Sequence, residues 1–185
     1  MTGIGHNGGP DMAGAAWRAH CWRQARERLL PVLPVEVVRA RVRRASELGL
    51  DYKTYAGVRS TTGRDIIAFL FSSNALRVDA AARIPAPEVA RLAMIRGAGR
   101  IALAQTTSPA VLIAVNPAAL DQAHAAPRPY AAFGATVQAL RAVMDRLPGD
   151  GVVLVASDAP WEAEWLAAGR LAGTISAGRF FSPVP

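Results

Sequence analysis

Residues 66–71 form an unbroken run of apolar side chains that ends abruptly in Ser72, Ser73 and Asn74. A strand that is apolar at every position has no face for water, so helices cover it on both sides, as is typical of parallel sheets. Periodicity alone does not separate such a strand from a short buried helix. The β-branched and aromatic content and the polar flanks favour the strand. The run therefore predicts the central strand of an α/β protein.

Other apolar segments predict the rest of the sheet. Residues 152–156 follow an amphipathic helical pattern over 135–147, which is the helix-then-strand order of a βαβ unit. Residues 101–104 and 111–115 are two further apolar segments, too close for a helical crossover, so an antiparallel pair is expected. The fold class predicted is α/β, with a mixed, mostly parallel sheet of about four to five strands flanked by helices.

Between these segments the sequence predicts helices across 85–96 and 161–169, a surface loop across 121–132 and a last edge strand across 174–181. At 185 residues the chain has the length of one domain with appendages. The predicted organisation is a flexible glycine-rich tail, a basic helical region, a small α/β domain and a C-terminal tail. These four parts span residues 1–14, 15–62, 63–181 and 182–185.

The positive charge is concentrated in one quarter of the chain. Residues 18–64 contain eleven Lys and Arg against four Asp and Glu, an excess equal to the net charge of +7 of the whole chain. Clustered positive charge is the footprint of a polyanion partner, such as nucleic acid, or of an acidic protein surface. The abundance of Arg over Lys is equally typical of a GC-rich genome, so composition alone does not choose between a ligand and a codon bias.

Two predicted helices within the basic region have the outline of a helix-turn-helix. The first spans 35–48 and the second 52–61, with Gly49 as a left-handed cap and Asp51 as an acceptor for the first amides of the second. A structural hairpin that covers one face of the sheet fits the same pattern and is favoured, and a β-hairpin across 54–72 is a third alternative. The residues predicted to contact nucleic acid are Arg39, Arg41, Arg43, Arg44, Lys53 and Arg59.

A second candidate site lies at the carboxyl ends of the predicted parallel strands, where open α/β sheets place their binding crevices. Its candidate residues are Ser72, Ser73, Asn74, Ser157, Asp158, Trp161 and Glu162. Asp158 has the chemistry of a base, of an acceptor for a sugar hydroxyl or of a metal ligand, whereas the serines suit an anion. The competing interpretation, which the sequence favours, is that Ser157 or Asp158 caps the following helix, with Pro160 at its first position.

Metal and cofactor chemistry finds no support in the sequence. His6, His20 and His124 are scattered, and Cys21 is the single cysteine, so no metal, no cofactor and no intrachain disulfide are expected. No apolar run approaches the roughly 18 residues of a membrane span, and no secretory signal is visible, so a cytoplasmic location without membrane contact is expected.

Three functional hypotheses remain open. The first is a nucleic-acid-associated accessory or regulatory protein that binds polyanions through its Arg-rich helices. The second is a small α/β domain that binds or acts on a small metabolite at the strand ends. The third is a non-catalytic subunit that recognises an acidic protein surface. An enzymatic activity is not indicated by any motif, and the oligomeric state is not predicted.

Overall fold

The computed structural model describes Cys21 and residues 33–182. The chain divides into two compact units, Met1–Val38 and Arg39–Pro185. The predicted tail at 1–14, residues 15–20 and 22–32 of the predicted basic helical region and the last three residues of the predicted tail at 182–185 lie outside the described residues. Everything below on packing and on sites concerns the second unit.

Seven α-helices and five strands are described. The helices are α1 (Val35–Glu47), α2 (Tyr52–Thr62), α3 (Ala86–Ala93), α4 (Pro109–Val115), α5 (Phe133–Met144), α6 (Ala163–Ala168) and α7 (Ala177–Phe181). The strands are β1 (Ala68–Ser72), β2 (Gly99–Ala104), β3 (Gln122–Ala125), β4 (Val152–Ala156) and β5 (Gly173–Ser176). Among these helices none is both long and apolar enough to cross a membrane.

The five strands form one sheet in the order β3-β2-β1-β4-β5, and every neighbouring pair is parallel. Strand β1 is central: Leu70 lies opposite Ile101 on one side and Leu154 on the other. All five residues of β1 are buried, as the apolar run predicts for 68–71; the strand begins two residues later than the run, so that Ile67 is 38% exposed, and it also includes Ser72. The predicted α/β fold with a helix-flanked sheet is therefore confirmed.

Alternate residues of β1 face opposite sides of the sheet and belong to two different cores. Phe69 and Phe71 lie in a core that also contains residues of α1, α2, α3, α4 and α7. Ala68 and Leu70 lie in a second core with residues of α5 and α6. The chain adds β2 and β3 on one side of β1, and then β4 and β5 on its other side. Because each crossover is right-handed, this reversal of direction places the connecting helices on both faces of the sheet.

The expected antiparallel pair is wrong. Residues 111–115 belong to helix α4, and β2 pairs in parallel with β3. Ser108 caps α4 by accepting a hydrogen bond from the amide of Val111, and Pro109 occupies the first turn. A short apolar segment is equally compatible with a helix and a strand. In this segment the cap formed by Ser108 stabilises the helix.

Two other expectations also need correction. The region 121–132, expected to be a surface loop, contains the edge strand β3, whose sequence is too polar and too short to be recognised from its pattern. The expected edge strand at 174–181 is instead the shorter β5 followed by α7, because Ser176 accepts a hydrogen bond from the amide of Arg179 and starts a helix.

Candidate functional site

The strand order reverses between β1 and β4, since β1 is followed by β2 on one side and β4 by β5 on the other. In open α/β sheets the crevice beyond the carboxyl ends of two such strands is the usual place for a ligand. Ser72 ends β1, Ser73 and Asn74 follow it, and Ser157 follows β4. The arrangement thus brings the predicted strand-end residues to a single edge of the sheet.

Glu162 lies at the centre of this edge. It ends a short 3-10 turn, Pro160–Glu162, and its side chain is fully buried. Oε1 accepts hydrogen bonds from Ser72 Oγ at 2.5 Å, Gln105 Nε2 at 2.6 Å and Asn74 Nδ2 at 3.2 Å. Oε2 accepts one from the backbone amide of Ser157 at 2.7 Å. No described Lys or Arg forms a salt bridge with it, so neutral donors alone compensate the burial of this carboxyl group.

Gln105 completes the network, although it is not among the site residues predicted from the sequence. It directly follows β2, and its Nε2 group also donates to Ser72 Oγ at 2.9 Å. Its Oε1 atom accepts from Asn74 Nδ2 at 3.1 Å and from the indole Nε1 of Trp161 at 3.0 Å. Its backbone amide donates to Ser73 Oγ at 3.1 Å. The strand-end rule that selected Ser72 and Ser157 would have selected Gln105 too, had it been applied to β2.

Ser72 and Ser73, at the carboxyl end of β1, are not available to bind an anion. Ser72 is fully buried and donates its hydroxyl proton to Glu162, whereas Ser73 is 2% exposed and its Oγ accepts from Gln105. Their hydroxyl groups join the strand ends to one another. The same burial removes Ser72 as a nucleophile in this arrangement, because an attacking hydroxyl has to reach its substrate.

An aromatic pair borders the network. The rings of Tyr130 and Trp161 meet edge to face with centroids 5.6 Å apart, and Trp161 is anchored to the network through Gln105. Tyr130 is 78% exposed and has a φ angle of +55°, in the left-handed region that residues other than glycine rarely adopt. Backbone strain of this kind costs about 1–3 kcal/mol and is concentrated at functional sites.

Asp158 does not form the cap that the sequence favoured. Its side chain is exposed, and no hydrogen bond or salt bridge joins it to another described residue. Ser157 does not cap the helix either, because its Oγ accepts from the amide of Ala159 at 3.2 Å, which lies before the turn that begins at Pro160. Asp158 lines a cavity of about 320 Å³ at the ends of β4 and β5, together with Glu162. Its carboxylate is therefore left to face solvent or a ligand.

The predicted helical hairpin exists and packs on the sheet. Gly49 has a φ angle of +67°, and Asp51 caps α2 by accepting a hydrogen bond from the amide of Thr54 at 2.9 Å. The Thr54 hydroxyl also donates to Asp51 and holds the pKa of that carboxyl below its ordinary value. Leu48 and Tyr55 are buried in the same core as Phe69. These are the contacts that the structural-hairpin interpretation requires.

The predicted nucleic-acid residues fall into two groups. Arg44 donates to the Asp65 carboxylate at 2.9 Å, to Glu47 at 3.2 Å and to the backbone oxygens of residues 66, 96 and 97. Its guanidinium is thus engaged within the fold and not available to a phosphate. Arg59 is half-buried, bonded to the Tyr55 hydroxyl at 3.4 Å and 3.9 Å from Asp65.

The other members of the group lie on the surface. Arg39, Arg43 and Lys53 are exposed and Arg41 is half-buried, and none of them has a salt bridge with a described acidic residue. Arg39 and Arg43 are four residues apart on α1 and so share one helical face. The positive charges of Arg39, Arg43 and Lys53, the last on α2, are therefore not neutralised by a salt bridge to any described acidic residue.

Fold and site together define an open, parallel α/β protein whose strand order reverses beside a buried carboxyl network. Comparisons with protein families, with curated proteins and with solved structures find no match to this chain. Across the described residues there is also no group of three or more His, Cys, Asp or Glu side chains that could hold a metal ion.

Proposed function

We propose that this protein binds a small, uncharged metabolite whose ring carries hydroxyl or amino groups, at the edge formed by β1, β2 and β4. The observation that carries the proposal is the Glu162 network. It uses both Nδ2 protons of Asn74, on Gln105 and Glu162, and both Nε2 protons of Gln105, on Ser72 and Glu162. Asn74 Oδ1 is left without a partner among the described residues. This edge of the sheet therefore presents a free acceptor, which suits a ligand that carries hydrogen-bond donors.

The aromatic pair supplies the apolar part of the binding surface. Tyr130 and Trp161 expose ring area next to the amide of Gln105, and an exposed tyrosine held in a strained conformation is better explained by a ligand than by packing. Asp158, which precedes Trp161 by three residues in the sequence, adds a second exposed acceptor. Acceptors and carboxylates disfavour a phosphate, so nucleosides and sugars fit better than nucleotides.

The proposal is tested by titrating the protein with adenosine, uridine and glucose and following backbone amide shifts by NMR, with AMP as the charged counterpart of adenosine. Shifts at Asn74, Gln105 and Trp161 that are stronger for adenosine than for AMP are expected. Tyr130→Ala should abolish them, because it removes exposed ring area without opening the core. The matched control is Phe133→Ala, another exposed aromatic residue, 53% exposed. Equal effects of the two variants, or no shifts with any of these ligands, would contradict the proposal.

A second candidate function is supported by the surface cations. Arg39, Arg43 and Lys53 are exposed and have no described acidic partner, and this is the arrangement expected of residues that contact phosphates. The same observation supports the recognition of an acidic protein surface. The salt dependence of nucleic-acid binding separates these two.

A further inference from the structure

A second cavity lies on the other face of the sheet, at the same carboxyl edge. It measures about 440 Å³ and is bounded by the turn after β1, by the start of α3 and by α7. Phe181 of its wall packs against the core that contains Phe71, whereas Trp161 of the first site packs against the opposite core. The two sites therefore depend on different residues and are testable independently.

Glu88 lines this cavity, and one of its two carboxylate oxygens has no hydrogen-bond partner in the described part of the chain. Its residue surface is 4% exposed, and Oε1 is 3.2 Å from the guanidinium Nη1 of Arg77. Oε2 is buried and has no hydrogen-bond partner in the described part of the chain. A carboxylate oxygen that is removed from water without a partner is costly, so native structures rarely leave one unpaired. The unpaired oxygen marks a place for a donor from outside the chain.

Arg77 supplies the opposite charge at the mouth of the cavity. Its side chain is 65% exposed, and its only salt bridge to a described acidic residue is the one with Glu88. Its backbone adopts a φ angle of +53°, a conformation better suited to glycine. Four of the five N–H donors of a guanidinium remain after one contact, so Arg77 can bind a second anionic group while it holds Glu88.

We propose that this cavity binds the zwitterion of an α-amino acid with an apolar side chain. The ammonium group of the ligand pairs with the Glu88 carboxylate, which lacks one donor, and the carboxylate of the ligand accepts from the Arg77 guanidinium. Pro85, Pro87 and Phe181 provide apolar walls for the side chain. A simple amine would leave Arg77 unused, and a simple carboxylate would face Glu88, so the pair of charges selects a molecule that carries both.

The test uses three probes of similar shape: L-leucine, isoamylamine, which lacks the carboxylate, and isocaproate, which lacks the amine. Binding is measured by isothermal calorimetry and by the NMR shifts of Glu88 and Phe181. L-leucine is expected to bind at least about tenfold more tightly than either probe, because each lacks one charge-assisted hydrogen bond. Equal affinities of the three probes, or no binding of leucine at millimolar concentration, would overturn the proposal.

Two variants connect the affinity to the charges. Glu88→Gln keeps the shape of the side chain, and Arg77→Gly removes the guanidinium while relieving the strained φ angle, so neither is expected to unfold the protein. Each should weaken leucine binding about tenfold or more. The matched control is Arg170→Gly, since Arg170 is another exposed arginine with a positive φ angle, +49°, and does not line the cavity. Leucine binding that is unchanged in Glu88→Gln and Arg77→Gly would also overturn the proposal.

Discussion

The hydroxyl of Ser72 at the end of β1 donates to Oε1 of Glu162 at 2.5 Å, although the two residues are 90 positions apart in the sequence. This bond joins the central strand to the turn after β4. Because Gln105 and Asn74 donate to the same oxygen, one carboxyl group holds together the ends of β1, β2 and β4. The candidate site and the stability of the sheet edge therefore depend on the same atoms.

Replacing Glu162 with glutamine should destabilise the protein by about 1–3 kcal/mol, although the two side chains have nearly the same shape. Glutamine replaces one of the two carboxylate oxygens with an NH2 group, which is a donor. In one orientation this group faces the backbone N–H of Ser157, and in the other it faces the donors that now bind Oε1, so a donor meets a donor in both cases. Unfolding in urea measures the change. Glu164→Gln, an exposed neighbour on α6, serves as the control and should leave the midpoint unchanged. Equal midpoints for the two variants would exclude the proposed role of the network.

Arg44→Gln should lower the free energy of unfolding by about 1–3 kcal/mol, because the partly exposed Asp65 carboxylate and the backbone oxygen of the buried Ile66 lose a charged donor. Arg44 connects α1 to the carboxylate of Asp65 and to the backbone of residues 66 and 97. Arg43→Gln removes the same charge from an adjacent exposed position and is expected to have no measurable effect on stability. Urea denaturation of both variants checks this. A similar loss in the two variants would mean that the Arg44 contacts contribute nothing of their own.

If the exposed arginines of α1 contact phosphates, the affinity for duplex DNA should fall steeply with salt. Each neutralised phosphate contributes about −0.9 to the slope of log affinity against log salt. The double variant Arg39→Gln with Arg43→Gln should therefore reduce that slope by up to about two units. Fluorescence anisotropy at several salt concentrations measures it, with duplex DNA, single-stranded DNA and RNA as ligands.

The matched control for this experiment removes the same charge elsewhere. Arg141→Gln with Arg146→Gln changes two exposed arginines in and just after α5 and should leave the slope as it is. If both double variants reduce the slope equally, the binding follows net charge and not the α1 surface. An additional variant, Lys53→Ala, should change sequence preference only if α2 enters a groove, because base contacts specify and phosphate contacts position.

The acid stability of the protein should depend on Asp121. The Arg100 side chain donates to this carboxyl group, and its closest contact is 2.6 Å, which holds the pKa of Asp121 below its ordinary value of 3.8. A lowered folded-state pKa means that the contribution to stability is present above the ordinary value and is lost as the pH falls through the lowered one. Asp121→Asn should thus be less stable than wild type near neutral pH.

The difference in stability between Asp121→Asn and wild type should shrink as the pH falls from about 5 to about 2. Urea midpoints measured over this range show the convergence. Asp158→Asn, an exposed carboxyl group with no described salt bridge, is the control and should follow the wild-type profile. A constant difference between wild type and Asp121→Asn at every pH would contradict the assignment.

Several elements could be predicted from local sequence because they depend on neighbours along the chain. The unbroken apolar runs of β1 and β4 identified buried parallel strands, since no residue in them suits water. Asp51 marked the start of α2, because a cap is made within one turn of its helix. The same reasoning placed polar residues at the strand ends.

The wrong assignments arose where local patterns are ambiguous. Residues 111–115 are apolar enough for a strand, and only the cap formed by Ser108 with the following proline makes them helical. Strand β3 has no hydrophobic pattern of its own and exists because the edge of β2 offers it unpaired backbone groups. Such a strand is determined by its partner and not by its own residues.

The chain by itself determined that an α/β sheet would form and which segments would be its buried strands, because hydrophobic pattern and capping act over a few residues. Only the tertiary structure decided that Glu162 would meet Ser72 and Gln105, and that Arg44 would bind Asp65 instead of facing solvent. These contacts follow from the strand order and from the way the helices pack, which bring together residues that are far apart in the sequence.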